Sequence, residues 1–304
     1  MPDLKLFTLN NTGQATECKP TTFAREAQVQ RLVEENMDTL FGIRFLASEY
    51  NTGKKHRGRI DSLGLDENNC PVIIEYKLDG KENIINQRLF YLDWLLDHRS
   101  EFQLQCMKKF GTDIEIDWFA PRLLCIARDF TRFDEYAIGQ IDRNIELIRY
   151  QAFGDQIIFE LAKTVEGTNQ TVTTTESNGG KSTKPSARTL DDALAAADPS
   201  MMELFAKIES FCLGLGEDVR LKKLKFYWAF ARIKNFAIVD PRTRDGKFLL
   251  YCKADFPPED QRPPTMCDVT SIGHFGTGNM ELTVTSTEDL EVAKPFLLES
   301  YEIS

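Results

Sequence analysis

The chain has 304 residues, 42% of them hydrophobic and 28% charged, with 47 acidic against 37 basic residues for a net charge of −10. That length allows about two domains of ~150 residues each, and the balance is that of a folded globular protein rather than a disordered one. It excludes a membrane-spanning helix, because no run of about 18 apolar residues occurs, and it argues against a protein that simply coats nucleic acid, which would be basic.

Residues 23–41 read as an amphipathic helix. Val29, Leu32, Val33, Met37, Leu40 and Phe41 recur at helical spacing, Thr21 or Thr22 is the expected N-cap, and Gly42 the stop. Strand-like runs follow at 43–48, 59–65 and 71–77. The last two are joined by Asp66, Glu67, Asn68 and Asn69, turn chemistry for an antiparallel hairpin. A second helix is expected over 82–97, with Ile84, Ile85, Leu89, Leu92, Leu95 and Leu96 as its apolar side. A buried strand at 123–127, a short helix at 133–141 and strands at 145–150 and 156–161 complete an α/β sandwich on a mixed sheet.

The stretch 165–198 opens rich in Ser, Thr, Asn and Gly. It buries too little surface to offset its ordering entropy and reads as a flexible linker between 1–164 and 199–304. Beyond it, a helix at 199–213 ended by Gly214, strands at 226–239, 248–253 and 282–286, and a closing helix at 288–301 describe a small α+β domain.

The opening residues lack a basic segment followed by an apolar one, so no signal peptide is expected. The seven cysteines are odd in number and never spaced as CxxC, and the three histidines lie far apart. Neither a disulfide framework nor a zinc site is expected, and the thiols fit a reducing cytoplasm.

Chemistry concentrates between Gly58 and Lys77. Asp61 lies near the start of one hairpin strand, while Glu75 and Lys77, two apart, emerge on one face of the next. Val72, Ile73 and Ile74 precede Glu75 without interruption, which implies a strand buried on both sides. A carboxylate and an ammonium there are costly unless paired or holding a metal. Oxygen ligands from Asp61, Glu75 and a backbone carbonyl such as that of Tyr76 suit Mg²⁺ or Mn²⁺ rather than zinc. Such an ion would polarise a scissile phosphate and lower the pKa of a bound water, with Lys77 orienting or deprotonating that water. The basic run Lys54, Lys55, His56, Arg57 and Arg59 precedes Asp61 and suits phosphate contact. The glycine-rich stretch 273–278 reads as a tight turn, since it lacks GxGxxG spacing, and the aromatic run from Phe226 reads as core.

Asp61, thirteen intervening residues and then Glu75-x-Lys77, preceded by a helix, resemble the PD-(D/E)XK nuclease superfamily. The wording Glu49-Tyr50, Gly58-Arg59-Ile60-Asp61 and Ile74-Glu75-Tyr76-Lys77 is similar to the branch of mismatch-specific and branched-DNA endonucleases, over about residues 20–162. The resemblance implies a restriction-endonuclease-like α/β sandwich and a Mg²⁺- or Mn²⁺-dependent endonuclease acting on DNA. In it Asp61 and Glu75 are metal-binding acids and Lys77 is the catalytic lysine. Glu26 is the best match to a further acid on the first helix, with Glu34 and Glu35 more solvent-facing. Gln87 and Tyr91 match a helix facing the same site. Ile60 stands where a proline is common. Homodimers are frequent in the class, and no membrane partner is implied. Residues 199–304 resemble a domain of unknown function found both beside nuclease-like domains and in other contexts, through Lys234-Asn235-Phe236-Ala237 and Asp268-Val269-Thr270-Ser271-Ile272-Gly273. The alternative is a non-catalytic nucleic-acid- or protein-binding module that keeps a nuclease-like fold.

Overall fold

The computed structural model describes residues 4–53, 58–78, 84–167, 190, 194, 197–272 and 276–304. The chain divides into two compact units, Met1–Asn169 and Gln170–Ser304. Most of the expected linker lies outside the described residues, but Leu194, assigned to it by composition, is buried in the core of the second unit.

The first unit opens with a two-stranded hairpin, β1 (Leu6–Leu9) and β2 (Ala15–Cys18), that composition did not reveal. The first expected helix is two: α1 (Glu26–Glu35) and α2 (Met37–Phe41). It starts later than Thr21 or Thr22 would place it, because Gln28 Oε1 accepts the N–H groups of Ala24 and Arg25 and fixes the first turn there. It breaks at Asn36, whose side-chain amide donates to Leu32 O at 2.8 Å, a local bond of the kind that competes with regular helix. Gly42 ends the pair at φ 62°, the left-handed conformation that a C-terminal stop requires.

Six strands then form one mixed sheet in simple sequential order: β3 (Ile43–Asn51), β4 (Arg59–Asp66), β5 (Pro71–Lys77), β6 (Arg122–Ala127), β7 (Asn144–Phe153) and β8 (Gln156–Val165). β5, β6 and β7 run parallel, while the remaining neighbours are antiparallel. The expected turn joins β4 to β5: Asp66 Oδ1 accepts from Asn68 and Cys70 N–H, and Asn69 takes φ 58°. The crossover from β5 to β6 holds α3 (Ile84–Asp97) and α4 (Arg99–Phe110), the second not expected from the sequence, where only Phe102, Cys106 and Phe110 mark its core side among mostly polar residues. α5 (Arg132–Ile138) follows β6, capped reciprocally by Thr131 and Asp134.

Alternation along the strands serves two layers. On one face Leu63, Leu65, Ile73, Leu123, Cys125 and Leu147 pack with Leu92, Trp94, Leu95 and Phe102 of α3 and α4. α1 packs on β4 and β5, where Ser62 bonds to its Glu34. Val72, Ile73 and Ile74 are fully buried, as their uninterrupted apolar run implied.

The second unit is an antiparallel sheet beside two helices. α6 (Pro199–Leu213) starts at Asp198, whose carboxylate accepts from Ser200 N–H. The strands are β9 (Arg220–Lys223), β10 (Trp228–Ala231), β11 (Asn235–Arg242), β12 (Lys247–Cys252), β13 (Met266–Asp268) and β14 (Met280–Val284), in the order β13-β14-β12-β11-β10-β9. The single strand expected over 226–239 is in fact the β10–β11 hairpin. It turns where Arg232, Ile233 and Lys234 interrupt the apolar run, and Arg232 N–H donates to Lys234 O. α7 (Thr287–Glu302) closes the chain and packs on α6, β11, β12 and β14 around one core. Phe230 lies in that core, as the aromatic run suggested, while Phe226 is exposed. Of the glycine-rich stretch, 273–275 lie outside the described residues. Among the described residues no helix is long and apolar enough to cross a membrane, and all seven cysteines are free thiols.

Candidate functional site

The antiparallel pairing of β4 with β5 ends at Ser62–Ile74. Beyond that rung two carboxylates occupy the backbone groups instead of the opposite strand. Asp61 N–H donates to Glu75 Oε1 at 3.1 Å, and Tyr76 N–H donates to Asp61 Oδ2 at 3.1 Å. The side chains of Asp61 and Glu75 are thereby laced across the point where the strands part. β5 meanwhile stays in register with parallel β6 as far as Lys77–Ala127.

Burial makes this arrangement electrostatically tense. Glu75 is 2% exposed; burial first, then the neighbouring Asp61 carboxylate, push its pKa up from 4.5 to about 8, against the lowering pull of Arg88. Burial also raises the Asp61 pKa, with Glu49 and Glu26 adding to the rise while the Tyr76 N–H and Arg88 oppose it. Burial does most of this, and the neighbouring acids add to it, so both groups resist ionisation where they meet.

Of the residues singled out by sequence, Asp61, Glu75 and the Tyr76 backbone meet directly. Lys77 ends β5, half-buried, on the same side as Glu75. Glu26, in the first turn of α1, is exposed, and its carboxylate accepts from Leu78 N–H at 3.4 Å, just past Lys77. Tyr91 is buried, with its hydroxyl 3.4 Å from Arg59 N. Gln87 is in α3, with its side chain outside the described residues, as are Lys54, Lys55, His56 and Arg57. Arg59 is exposed and pairs with Glu49 at 2.5 Å rather than standing open for phosphate.

Glu34 departs from expectation. Instead of facing solvent it is half-buried, accepting from Ser62 Oγ at 2.6 Å and from Gln30 Nε2 at 3.0 Å. Gln30 also donates to Asp61 O at 3.0 Å and to Ser48 Oγ at 3.2 Å, tying α1 to the strand that carries Asp61. Ser62 Oγ lies 3.1 Å from the Tyr76 hydroxyl, so one polar network backs the site on the α1 side. Two further charges were missed. Arg88 of α3 places Nε 2.9 Å from Glu75 Oε2, with side-chain exposures of 12% and 2%. Glu49, held at φ 52° in β3, adds negative potential to Asp61. The adjacency of Arg88 to Gln87 was the available signal for the first; for the second it was the Glu49-Tyr50 pair that forms part of the resemblance, to which no role was assigned.

Among the described residues no three His, Cys, Asp or Glu side chains form a ready metal-binding cluster. What the site offers is a pair of carboxylates plus backbone oxygen, a hard-donor set. No protein-family model matches the chain, and no solved structure matches it significantly. A protein of Haemophilus influenzae (strain ATCC 51907 / DSM 11121 / KW20 / Rd) is 27% identical over 296 residues, spanning 95% of this chain and 96% of its own. It is described only as an uncharacterized protein. The likeness spans both units and brings no activity with it.

Proposed function

We propose that the chain is a Mg²⁺- or Mn²⁺-dependent endonuclease acting on DNA, with its catalytic site in the first unit on a restriction-endonuclease-like sandwich. The observation that carries this reading is the pair of buried carboxylates, Asp61 and Glu75, that take over backbone N–H groups where β4 and β5 separate. Their raised pKa values fit a site whose negative charge a cation would offset, and their oxygen chemistry fits a hard one.

Asp61, Glu75 and the Tyr76 carbonyl would hold the ion. When bound, a divalent cation supplies Lewis-acid stabilisation of charge on a phosphate. Lys77, on the Glu75 side of β5, would orient the attacking water, accept its proton as a neutral amine or stabilise developing negative charge as an ammonium. Glu26 fixes the chain just beyond Lys77, and Gln30 holds the Asp61 backbone in place. Both act on position, which in phosphoryl chemistry is a large part of the rate.

The test is incubation of plasmid, single-stranded, mismatched and branched DNA with Mg²⁺ or Mn²⁺. Wild type should cut, whereas Glu75→Ala and Lys77→Ala should not. Binding without cleavage under either ion would favour the non-catalytic alternative instead.

A further inference from the structure

Both oxygens of Glu75 are already engaged. Oε1 takes the Asp61 N–H at 3.1 Å, and Oε2 faces Arg88 Nε at 2.9 Å. Each oxygen keeps a second lone pair, but a divalent cation beside Oε2 would stand against the Arg88 guanidinium, and two like charges at that distance favour the departure of one. The Asp61 N–H lies in the β4 backbone, held on either side by the Ile60–Tyr50 and Ser62–Ser48 rungs to β3 and by Gln30 on the Asp61 carbonyl. Arg88 is a long side chain reaching over from α3, and it is the partner that can swing.

We propose that Arg88 is a built-in counter-ion, which holds the Glu75 carboxylate in the metal-free protein and yields it to the divalent cation on loading. The inference rests on the metal-binding reading of the site. A guanidinium stays charged at any physiological pH, so it leaves by exchange with another cation rather than by losing its proton. Once Glu75 is ionised, loss of Arg88 would leave a buried carboxylate without its partner, which is strongly destabilising, so the pair keeps the shape of the site. The cost is affinity, because each ion bound must break that pair. Arg88 is thus a positioning residue that ties loading to the concentration of free cation.

The test is a calorimetric titration of Mn²⁺ into the full chain without DNA, for wild type, Arg88→Gln, Arg88→Lys and Glu75→Gln. Arg88→Gln is expected to bind Mn²⁺ severalfold tighter than wild type and to melt at lower temperature without metal, with the difference narrowing at saturating Mn²⁺. Arg88→Lys keeps a cation but loses the planar fork, and is expected to fall between the two; it serves if Arg88→Gln fails to fold. Affinity that is unchanged or weaker in both variants overturns the counter-ion role and leaves the metal reading standing. Wild-type binding no tighter than that of Glu75→Gln overturns the metal reading, and the counter-ion role with it.

Discussion

Lys77 and Glu75 sit two residues apart on one strand, yet their expected contributions separate cleanly. Replacing Lys77 by Ala should lower kcat by about 10²–10⁴-fold, the range for a group that moves a proton in the transition state, while Mn²⁺ affinity measured by titration stays near wild type. Glu75→Ala should abolish both. The acidity of Glu75 adds a pH signature. Its folded pKa of about 8 lies above the ordinary 4.5, so the folded state favours the protonated form. That contribution to stability is complete below the ordinary value and is lost as pH rises through about 8. The metal-free protein should therefore lose melting temperature across that window, and Glu75→Gln should flatten the dependence. Cation binding needs the carboxylate, so Mn²⁺ affinity should climb with pH over the same interval and release protons on binding. An affinity independent of pH would contradict the assignment. At this scale the sequence disclosed the acids and the lysine, because a charge ending an apolar strand is visible in one dimension. Arg88 and Glu49 stayed hidden, since what matters about each is the carboxylate it meets from another element.

The elements divide the first unit into a working end and a holding end. Near the turn between β4 and β5, Arg122 lies buried between Asp66 at 3.2 Å and Glu146 at 2.7 Å, joining β4, β6 and β7. Removing the shared guanidinium leaves two buried carboxylates uncompensated, so Arg122→Ala should cost about 3–5 kcal/mol in denaturant unfolding and leave Mn²⁺ affinity of the folded fraction unchanged. Near the site, Gly58 has the opposite profile. A Cβ there would stand 2.3 Å from the Tyr91 ring, so Gly58→Ala must displace Tyr91 or the start of β4. It should reduce cleavage more than it reduces stability. The six strands of the first unit's large sheet and most helices were legible from their apolar residues, and β5 and α6 match expectation at both ends; β9 and β13, short and largely polar, were not expected. The β1–β2 hairpin was not legible either, because its four-residue strands are too short to show a period, and α4 was overlooked although Phe102, Cys106 and Phe110 recur every four residues. The β10–β11 hairpin was read as one strand because apolar residues flank its turn on both sides.

Over the whole molecule, each unit has its own sheet and its own buried core. Residues 1–169 and 170–304, expressed separately, should each unfold cooperatively, and the first should retain any cutting activity that the full chain has. Loss of cutting in a folded 1–169 fragment would give the second unit a direct part in the reaction. The net charge of −10 is no obstacle to the proposed substrate: a nuclease needs positive potential at one cleft only, and the proposed divalent ion would supply it there. The most direct measurement is anomalous scattering from a crystal soaked in Mn²⁺. The account predicts a peak held between the carboxylates of Asp61 and Glu75, with the Arg88 guanidinium withdrawn from Glu75. A soaked crystal with no peak there and the Arg88–Glu75 pair intact would contradict it.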